Sequence, residues 1–439
     1  MTLSPSSEPL YPKSTGYCPR AIESNLKACI ADTPAIIITG PRQSGKTTLV
    51  KELLKKCGGG SYHTLDDENI LALAEADPVG FLRQQQSQQT HPEAPAPIII
   101  DEIQRAPSLI RTIKLLIDER RRPGAFILTG SADLMTLPTL ADSLAGRAEF
   151  ITLYPFSHPE RAYQGQSSTP PDIISQLLAP DYSPQAGAPL SLRQLQDIIL
   201  QGGYPEAVTR SGTRRSRWHK SYADAVIRRD IKELFQLQKL DEMGQLFKAL
   251  AAISSEALSY AALGRAAQMD TKSVQKYVAA LENLYLIKRI PGWHRNELKR
   301  TVKQPKVHFI DTGLLCTTRG ITTTHLHKNP NLMGPLMETW VGSELLKAMA
   351  VSEQESNLFY YRDQNRREVD FILEGQDGQA TGIEVKAGMT IKKSMFSTLE
   401  MLLEAGVIQR GVVVYNGDQI LPFSDRLLAV PAGSLLSGC

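Results

Sequence analysis

The sequence predicts an α/β protein in three parts: a parallel sheet flanked by helices, then a mostly helical unit, then a smaller α/β unit. Three observations lead there. Short apolar runs at Ala35–Thr39 (AIIIT), Pro97–Ile100 (PIII) and Ala125–Thr129 (AFILT) alternate with helical patterns such as Leu109–Arg120, and buried strands alternating with helices imply a parallel sheet. From Leu192 to Leu250 the periodicity is helical, and Ser259–Ile290 reads as short helix, turn, longer helix and a strand-like LIKRI. Beyond Gly334 a helix gives way to strands at Leu358–Tyr361, Val369–Leu373, Gly382–Val385 and Gly411–Tyr415, separated by polar turns. A balance of 42% hydrophobic to 22% charged residues is that of a soluble globular protein and excludes a disordered or fibrous chain.

Taken in order, a Pro/Ser-rich start is followed by a helical pattern over Ile22–Ile30, the first apolar run, and a Gln- and Pro-rich stretch from Gln84 to Pro97 that reads as a loop. Composition changes past Phe150, where Ser157–Leu190 is rich in Pro, Ser, Gln and Gly, so the expected domains are 1–156, 157–330 and 331–439. The five cysteines are scattered without a CxxC spacing, which points to a reducing compartment and away from structural zinc. The chain opens without a charged and then apolar leader, and no stretch approaches the ~18 apolar residues of a membrane span. A cytoplasmic protein without a membrane partner is expected.

Gly40-Pro41-Arg42-Gln43-Ser44-Gly45-Lys46-Thr47, with Thr48 behind it, matches GxxxxGK[ST] in full and lies between an apolar strand and a helix start. Such a loop turns backbone N–H groups and a helix N-terminus toward phosphates, its lysine reaches the outer phosphates and its Thr47 hydroxyl ligates magnesium. ATP and Mg2+ are therefore the expected cofactors. Ile98–Ile100 ends in Asp101-Glu102, where Asp101 would hold magnesium and Glu102 would orient or deprotonate the attacking water, although a capping role for the next helix also fits. Thr129 or Ser131, at the end of the third run, can sense the γ-phosphate, and Ser131 can equally cap a helix. Arg147 reads either as an arginine finger acting in trans within a homo-oligomer or as a surface salt bridge.

GPRQSGKTT, IIIDEIQRAP, FILTGSADL and LAGRAEFITLYPFS resemble, in order and spacing, prokaryotic AAA-superfamily ATPases that carry a C-terminal domain of unknown function. The resemblance continues through Gly202-Gly203-Tyr204-Pro205-Glu206, Arg228-Arg229-Asp230, Phe309-Ile310-Asp311-Thr312-Gly313 and Gly382-Ile383-Glu384-Val385-Lys386. It implies a P-loop ATPase whose downstream motifs have no settled biochemical meaning.

A formal charge of +3 is too small to argue a nucleic-acid partner from the total. Local basic runs, Arg210–Lys220 and Lys288–Lys306, could carry DNA contact or could be solvated helix faces. The helix-turn-helix-strand order of the middle unit is that of a winged helix, with Lys272, Gln275 and Lys276 exposed where a recognition helix meets DNA; such folds also serve as protein adaptors. In the last unit, Glu338 and Glu344 on a helix, then Asp370, then Glu384 and Lys386 on one strand face, resemble the restriction-endonuclease-like core. That resemblance implies Asp370 and Glu384 on one divalent metal, with Glu338 or Glu344 contributing and Lys386 beside it, and the competing reading is a structural ion-pair cluster. The expected function is an ATP-driven switch or motor acting on DNA. The alternative is a regulatory switch ATPase whose C-terminal domain binds a protein partner and cleaves nothing.

Overall fold

The computed structural model describes residues 16–56, 59–87, 96–131, 143–162, 171–184, 187, 189–231, 240–295, 300 and 304–437. The chain forms two compact units: Pro19–Pro155 with Asn283–Tyr285, and Phe156–Glu282 with Leu286–Cys439 and the residues up to Cys18.

The first unit is built on five parallel strands, β1 (Ala35–Thr39), β2 (Ser61–Thr64), β3 (Ile98–Asp101), β4 (Phe126–Thr129) and β5 (Ala148–Thr152), in the order β2-β3-β4-β1-β5. Every residue of β1, β3 and β4 is buried, which is why these three strands are continuously apolar instead of alternating. Ile36, Ile37 and Ile38 are fully enclosed, and burial of each such side chain contributes about 2 kcal/mol. The edge strand β2 (SYHT) is half-buried and lacks an apolar run, so nothing in its sequence marked it as a strand. The helix Ser108–Glu119 turns Leu109, Ile110, Ile113, Leu116 and Ile117 into the same core as Ile98, Ile100, Phe126 and Leu128. The stretch expected to be a loop from Gln84 is still helical through Ser87, because the helix Pro78–Ser87 buries Phe81, Leu82 and Gln85.

The second unit opens with the helices His158–Ala162, Ile173–Leu178, Leu192–Gln201 and Gly212–Ala225, the last continuing into one π-turn at Val226–Asp230. Tyr260–Ala267 and Thr271–Asn283 follow as two helices with the expected turn between them. Strands β6 (Glu256–Ala257), β7 (Ile287–Ile290) and β8 (Lys306–Phe309) make an antiparallel sheet in the order β6-β8-β7. After the helix Met333–Met349 come β9 (Ser356–Arg362), β10 (Glu368–Gly375), β11 (Ala380–Lys386), β12 (Arg410–Tyr415), β13 (Leu421–Ser424) and β14 (Leu427–Pro431). They form one mixed sheet, β13-β14-β12-β11-β10-β9, with β11, β12 and β14 parallel. Val369, Ile372, Phe396, Leu399, Leu402 and Val413 fill its core. Among the described residues no helix is long and apolar enough to cross a membrane.

Candidate nucleotide site and C-terminal carboxylate cluster

Strand β1 delivers the chain into the loop at Gly40, whose φ of 138° and closeness to Leu153 admit no side chain: a Cβ there would lie 2.2 Å from the Leu153 carbonyl oxygen. The helix Lys46–Lys56 starts six residues on. Lys46 is 5% exposed, and its ammonium folds back to donate to the Gly40 and Pro41 carbonyls, both at 2.9 Å. Behind the loop stands Arg20, a residue no sequence motif pointed to. Its guanidinium donates to the Ser44 carbonyl at 2.8 Å and to the Tyr154 carbonyl at 2.6 Å, tying the loop to the segment after β5. Arg20 is thus a positioning residue for the loop. Arg20→Ala is expected to weaken nucleotide affinity about tenfold with kcat nearly unchanged, the loss of ~1.4 kcal/mol of loop organisation. Titration with a fluorescent nucleotide checks this, and an unaltered Kd would remove Arg20 from the account.

Asp101, at the end of β3 and 3% exposed, receives hydroxyls from three different elements. Thr47 donates to its Oδ2 at 2.8 Å, Tyr62 of β2 donates to the same oxygen at 2.7 Å, and Thr129 of β4 donates to Oδ1. Burial first, and the neighbouring Asp101 carboxylate second, push the Tyr62 phenol above its usual pKa, so it stays a donor across the working pH range. Thr129, expected as a phosphate sensor, therefore faces Asp101; it also accepts the Glu102 backbone N–H at 3.3 Å.

Glu102 occupies the left-handed region (φ 61°, ψ 46°), a conformation costly for a residue with a Cβ and one that turns the backbone sharply after β3. Its carboxylate accepts a hydrogen bond from the Gln104 side-chain amide, which also donates to the Ser131 hydroxyl at 3.2 Å. Glu102, Gln104 and Ser131 thus form one chain of polar contacts beside Asp101. Gln104 lay within IIIDEIQRAP but carried no signal of its own, since its role depends on the reversed turn at Glu102. Thr48 is exposed on the helix after the loop. Arg147 contacts Asp118 twice, at 2.6 and 3.0 Å, as in the salt-bridge reading.

In the second unit the expected C-terminal residues divide into two sets. Glu344 lies apart, accepting the His158 backbone N–H at 2.7 Å and the Lys347 ammonium at 2.8 Å. Glu338, Glu368 and Asp370 gather around Lys306 of β8, whose Nζ stands 2.8, 2.6 and 3.5 Å from them. Asp370 also accepts the Val385 N–H at 2.8 Å, and Glu384 is ion-paired with Lys386. Of the carboxylates expected on a metal, Glu338 and Asp370 meet on the Lys306 ammonium while Glu384 faces Lys386, and among the described residues no group of three or more His, Cys, Asp or Glu has the arrangement of a metal site. Burial, and then Asp370, push the Glu338 and Glu384 carboxyls above the usual range, with Lys306 and Lys386 respectively drawing them back.

Residues 32–162 match the family described as AAA domain, 192–325 the domain of unknown function DUF8612, and 333–435 the domain of unknown function DUF4143. The uncharacterized proteins Rv2008c of Mycobacterium tuberculosis and Mb2031c of Mycobacterium bovis are each 30% identical over 423 residues, covering 95% of this chain and 84% of theirs. The chain belongs to the AAA-domain family with a C-terminal DUF4143 domain. It is a P-loop ATPase of the AAA type. Among solved structures, the Walker-type ATPase PABY2304 of Pyrococcus abyssi aligns with TM-score 0.37 and 14% identity over 67% of this chain and 94% of that one. AMPPCP-bound DnaA from Aquifex aeolicus aligns with TM-score 0.26 and 13% identity over 60% and 85%.

Two of the downstream motifs of this ATPase now acquire a structural meaning. Asp311 is 1% exposed and accepts the Gly203 N–H at 2.6 Å and the Leu314 N–H at 2.7 Å, so it caps one helix and fastens the Gly202-Gly203 turn at once. The basic runs fare differently. In the first, Arg210 pairs with Glu206 and Arg215 is half-buried, while Arg214, Arg217 and Lys220 face solvent. In the second, Arg289 pairs with Glu282, Arg300 with Glu374, and Lys306 is buried, so the described part of Lys288–Lys306 is largely neutralised. Lys272, Gln275 and Lys276 are exposed as expected.

Proposed function

We propose that this ATPase binds Mg-ATP on residues 40–48 and hydrolyses it with Asp101 and Glu102. The observation that carries the reading is the 2.8 Å contact between the Thr47 hydroxyl and the Asp101 carboxylate, groups 54 residues apart in sequence. Two adjacent oxygen donors suit a hard divalent cation, and magnesium on them would neutralise charge on the β- and γ-phosphates. Lys46 would exchange its loop carbonyls for phosphate oxygens. Glu102 would orient the attacking water and take its proton, with Gln104 positioning the carboxylate and Ser131 close enough to the pair to respond to the γ-phosphate.

A second reading, that nucleotide state is coupled to DNA, is favoured by two exposed basic sets: Arg214, Arg217 and Lys220 on the helix Gly212–Ala225, and Lys272 and Lys276 on the helix Thr271–Asn283. The turn between Tyr260–Ala267 and Thr271–Asn283, followed by the antiparallel β7–β8 pair, supports a winged helix there. ATPase rates with and without single- and double-stranded DNA test the coupling. DNA should raise turnover with a steep salt dependence, and charge reversal at Lys272 and Lys276 should flatten the slope. An ATPase indifferent to DNA, with no DNA binding at low salt, would leave the regulatory switch with a protein partner as the reading to pursue.

A further inference from the structure

We propose that Lys306 is a built-in cation standing where the nuclease-like arrangement of Glu338, Asp370 and Glu384 would hold a divalent metal, so that this cluster works as a joint between two sheets and not as a cleavage site. Lys306 is 4% exposed, and its ammonium is shared among Glu338, Glu368 and Asp370 at 2.8, 2.6 and 3.5 Å. The first two are the spacings of an ammonium making hydrogen bonds and the third that of an ion pair; a magnesium ion would draw the same oxygens to about 2.1 Å and leave the buried lysine facing a dication. Three carboxylates from two different elements thus surround one ammonium within 3.5 Å.

Most of the surrounding charge is paired without a metal. Glu384 is taken by Lys386, and the second oxygen of Glu368 faces Arg362 at 3.8 Å. Of four carboxylates, the three cations Lys306, Lys386 and Arg362 balance all but one. Asp370, the residue a metal would need most, spends Oδ2 on the Val385 N–H of the neighbouring strand and Oδ1 on Lys306.

What Lys306 does hold together is evident from the elements it spans. It lies on β8 of the three-stranded sheet, Glu338 on the helix Met333–Met349, and Glu368 and Asp370 on β10 of the six-stranded sheet. Beside it the Tyr360 ring of β9 lies 5.6 Å from Nζ, and the Tyr360 hydroxyl donates to the Gln304 carbonyl just before β8, a second tie between the same two sheets. An ion pair among buried groups costs desolvation, so its use here is register: it fixes which face of β8 meets the helix and β10.

The test uses the full chain, free of nucleotide so that the phosphate loop contributes the same background in every variant, with Mn2+ followed by electron paramagnetic resonance. Wild type and Asp370→Asn should bind Mn2+ identically, because neither has a metal site in the cluster. Lys306→Gln removes the cation and should gain one Mn2+ with an affinity at least about tenfold above background, lost again in Lys306→Gln/Asp370→Asn. Its melting temperature should be lower than that of wild type and should recover on Mn2+ addition. A wild-type Mn2+ site that disappears in Asp370→Asn would overturn the proposal, as would a folded Lys306→Gln chain that gains no metal. Should Lys306→Gln fail to fold, the wild-type against Asp370→Asn comparison still decides whether a metal site is present, and Lys306→Arg, keeping the charge, should fold and remain metal-free.

Discussion

Lys46→Ala abolishes measurable ATP binding, whereas Glu102→Gln binds ATP like the wild type and turns it over at least ~100-fold more slowly. The two effects separate because the residues meet different parts of the nucleotide. Lys46 is buried within its own loop, and its ammonium is satisfied by two loop carbonyls that compete with phosphate only weakly. Removing it takes away the buried ammonium that the loop would turn to the outer phosphates, and takes one donor each from the Gly40 and Pro41 carbonyls. Glu102 lies beyond the sheet edge on a strained left-handed residue and touches Gln104, not the loop. Its amide analogue keeps the shape and the contact with Gln104 while losing the ability to accept a proton. Isothermal titration distinguishes the two variants. Equal loss of binding in both would make Glu102 a structural residue.

Asp311→Ala lowers the stability of the second unit by about 3 kcal/mol, a fall of roughly 5–10 °C in melting temperature for a unit of this size. The carboxylate meets two buried N–H groups from different parts of the chain, Gly203 and Leu314, and truncation leaves both without a partner. The surroundings are tightly packed, with glycine at two positions for want of room and His219 Nε2 3.9 Å from Asp311 Oδ1. A Cβ at Gly202 would lie 2.3 Å from an Asp311 oxygen, and one at Gly313 would lie 2.6 Å from the Gln201 carbonyl oxygen. Asp311→Asn keeps one acceptor and should cost less than half as much. Thermal denaturation followed by circular dichroism provides the comparison, and an unaltered midpoint in Asp311→Ala would show that the turn is held by other contacts.

The central strands and the nucleotide loop were legible because their chemistry is local. A strand buried on all sides must be continuously apolar, and a phosphate loop must place glycine, lysine and threonine at fixed spacing, so β1, β3, β4 and residues 40–47 stand out in the sequence alone. The parts that escaped are those whose meaning arises only in three dimensions. Tyr62 looks like any tyrosine on a half-polar edge strand until β2 pairs with β3 and brings its hydroxyl to Asp101. Arg20 acts through Ser44, 24 residues away, and Gln104 joins Glu102 to Ser131, 27 residues from it. Lys306 sat in a run of basic residues, and its sign of charge suggested an exposed surface. Only the pairing of β8 with β7 and its approach to the helix Met333–Met349 reveal that it is the buried partner of three acids. Of the C-terminal motif, Glu338 and Asp370 come together on a residue outside it, while Glu344 lies apart. Strands β13 and β14 were missed for a simpler reason: β13 contains proline and is mostly exposed, and β14 is a short apolar run indistinguishable from a core helix segment.

The claim on which the rest depends is that residues 40–47, Asp101 and Glu102 form one hydrolytic site, and phosphate release from ATP by the purified full chain tests it most directly. With magnesium the wild type should release phosphate over many turnovers, release should stop when EDTA removes the metal, and Glu102→Gln should retain bound ATP without releasing phosphate. Phosphate release by Glu102→Gln at the wild-type rate, or turnover that persists in EDTA, would contradict the account.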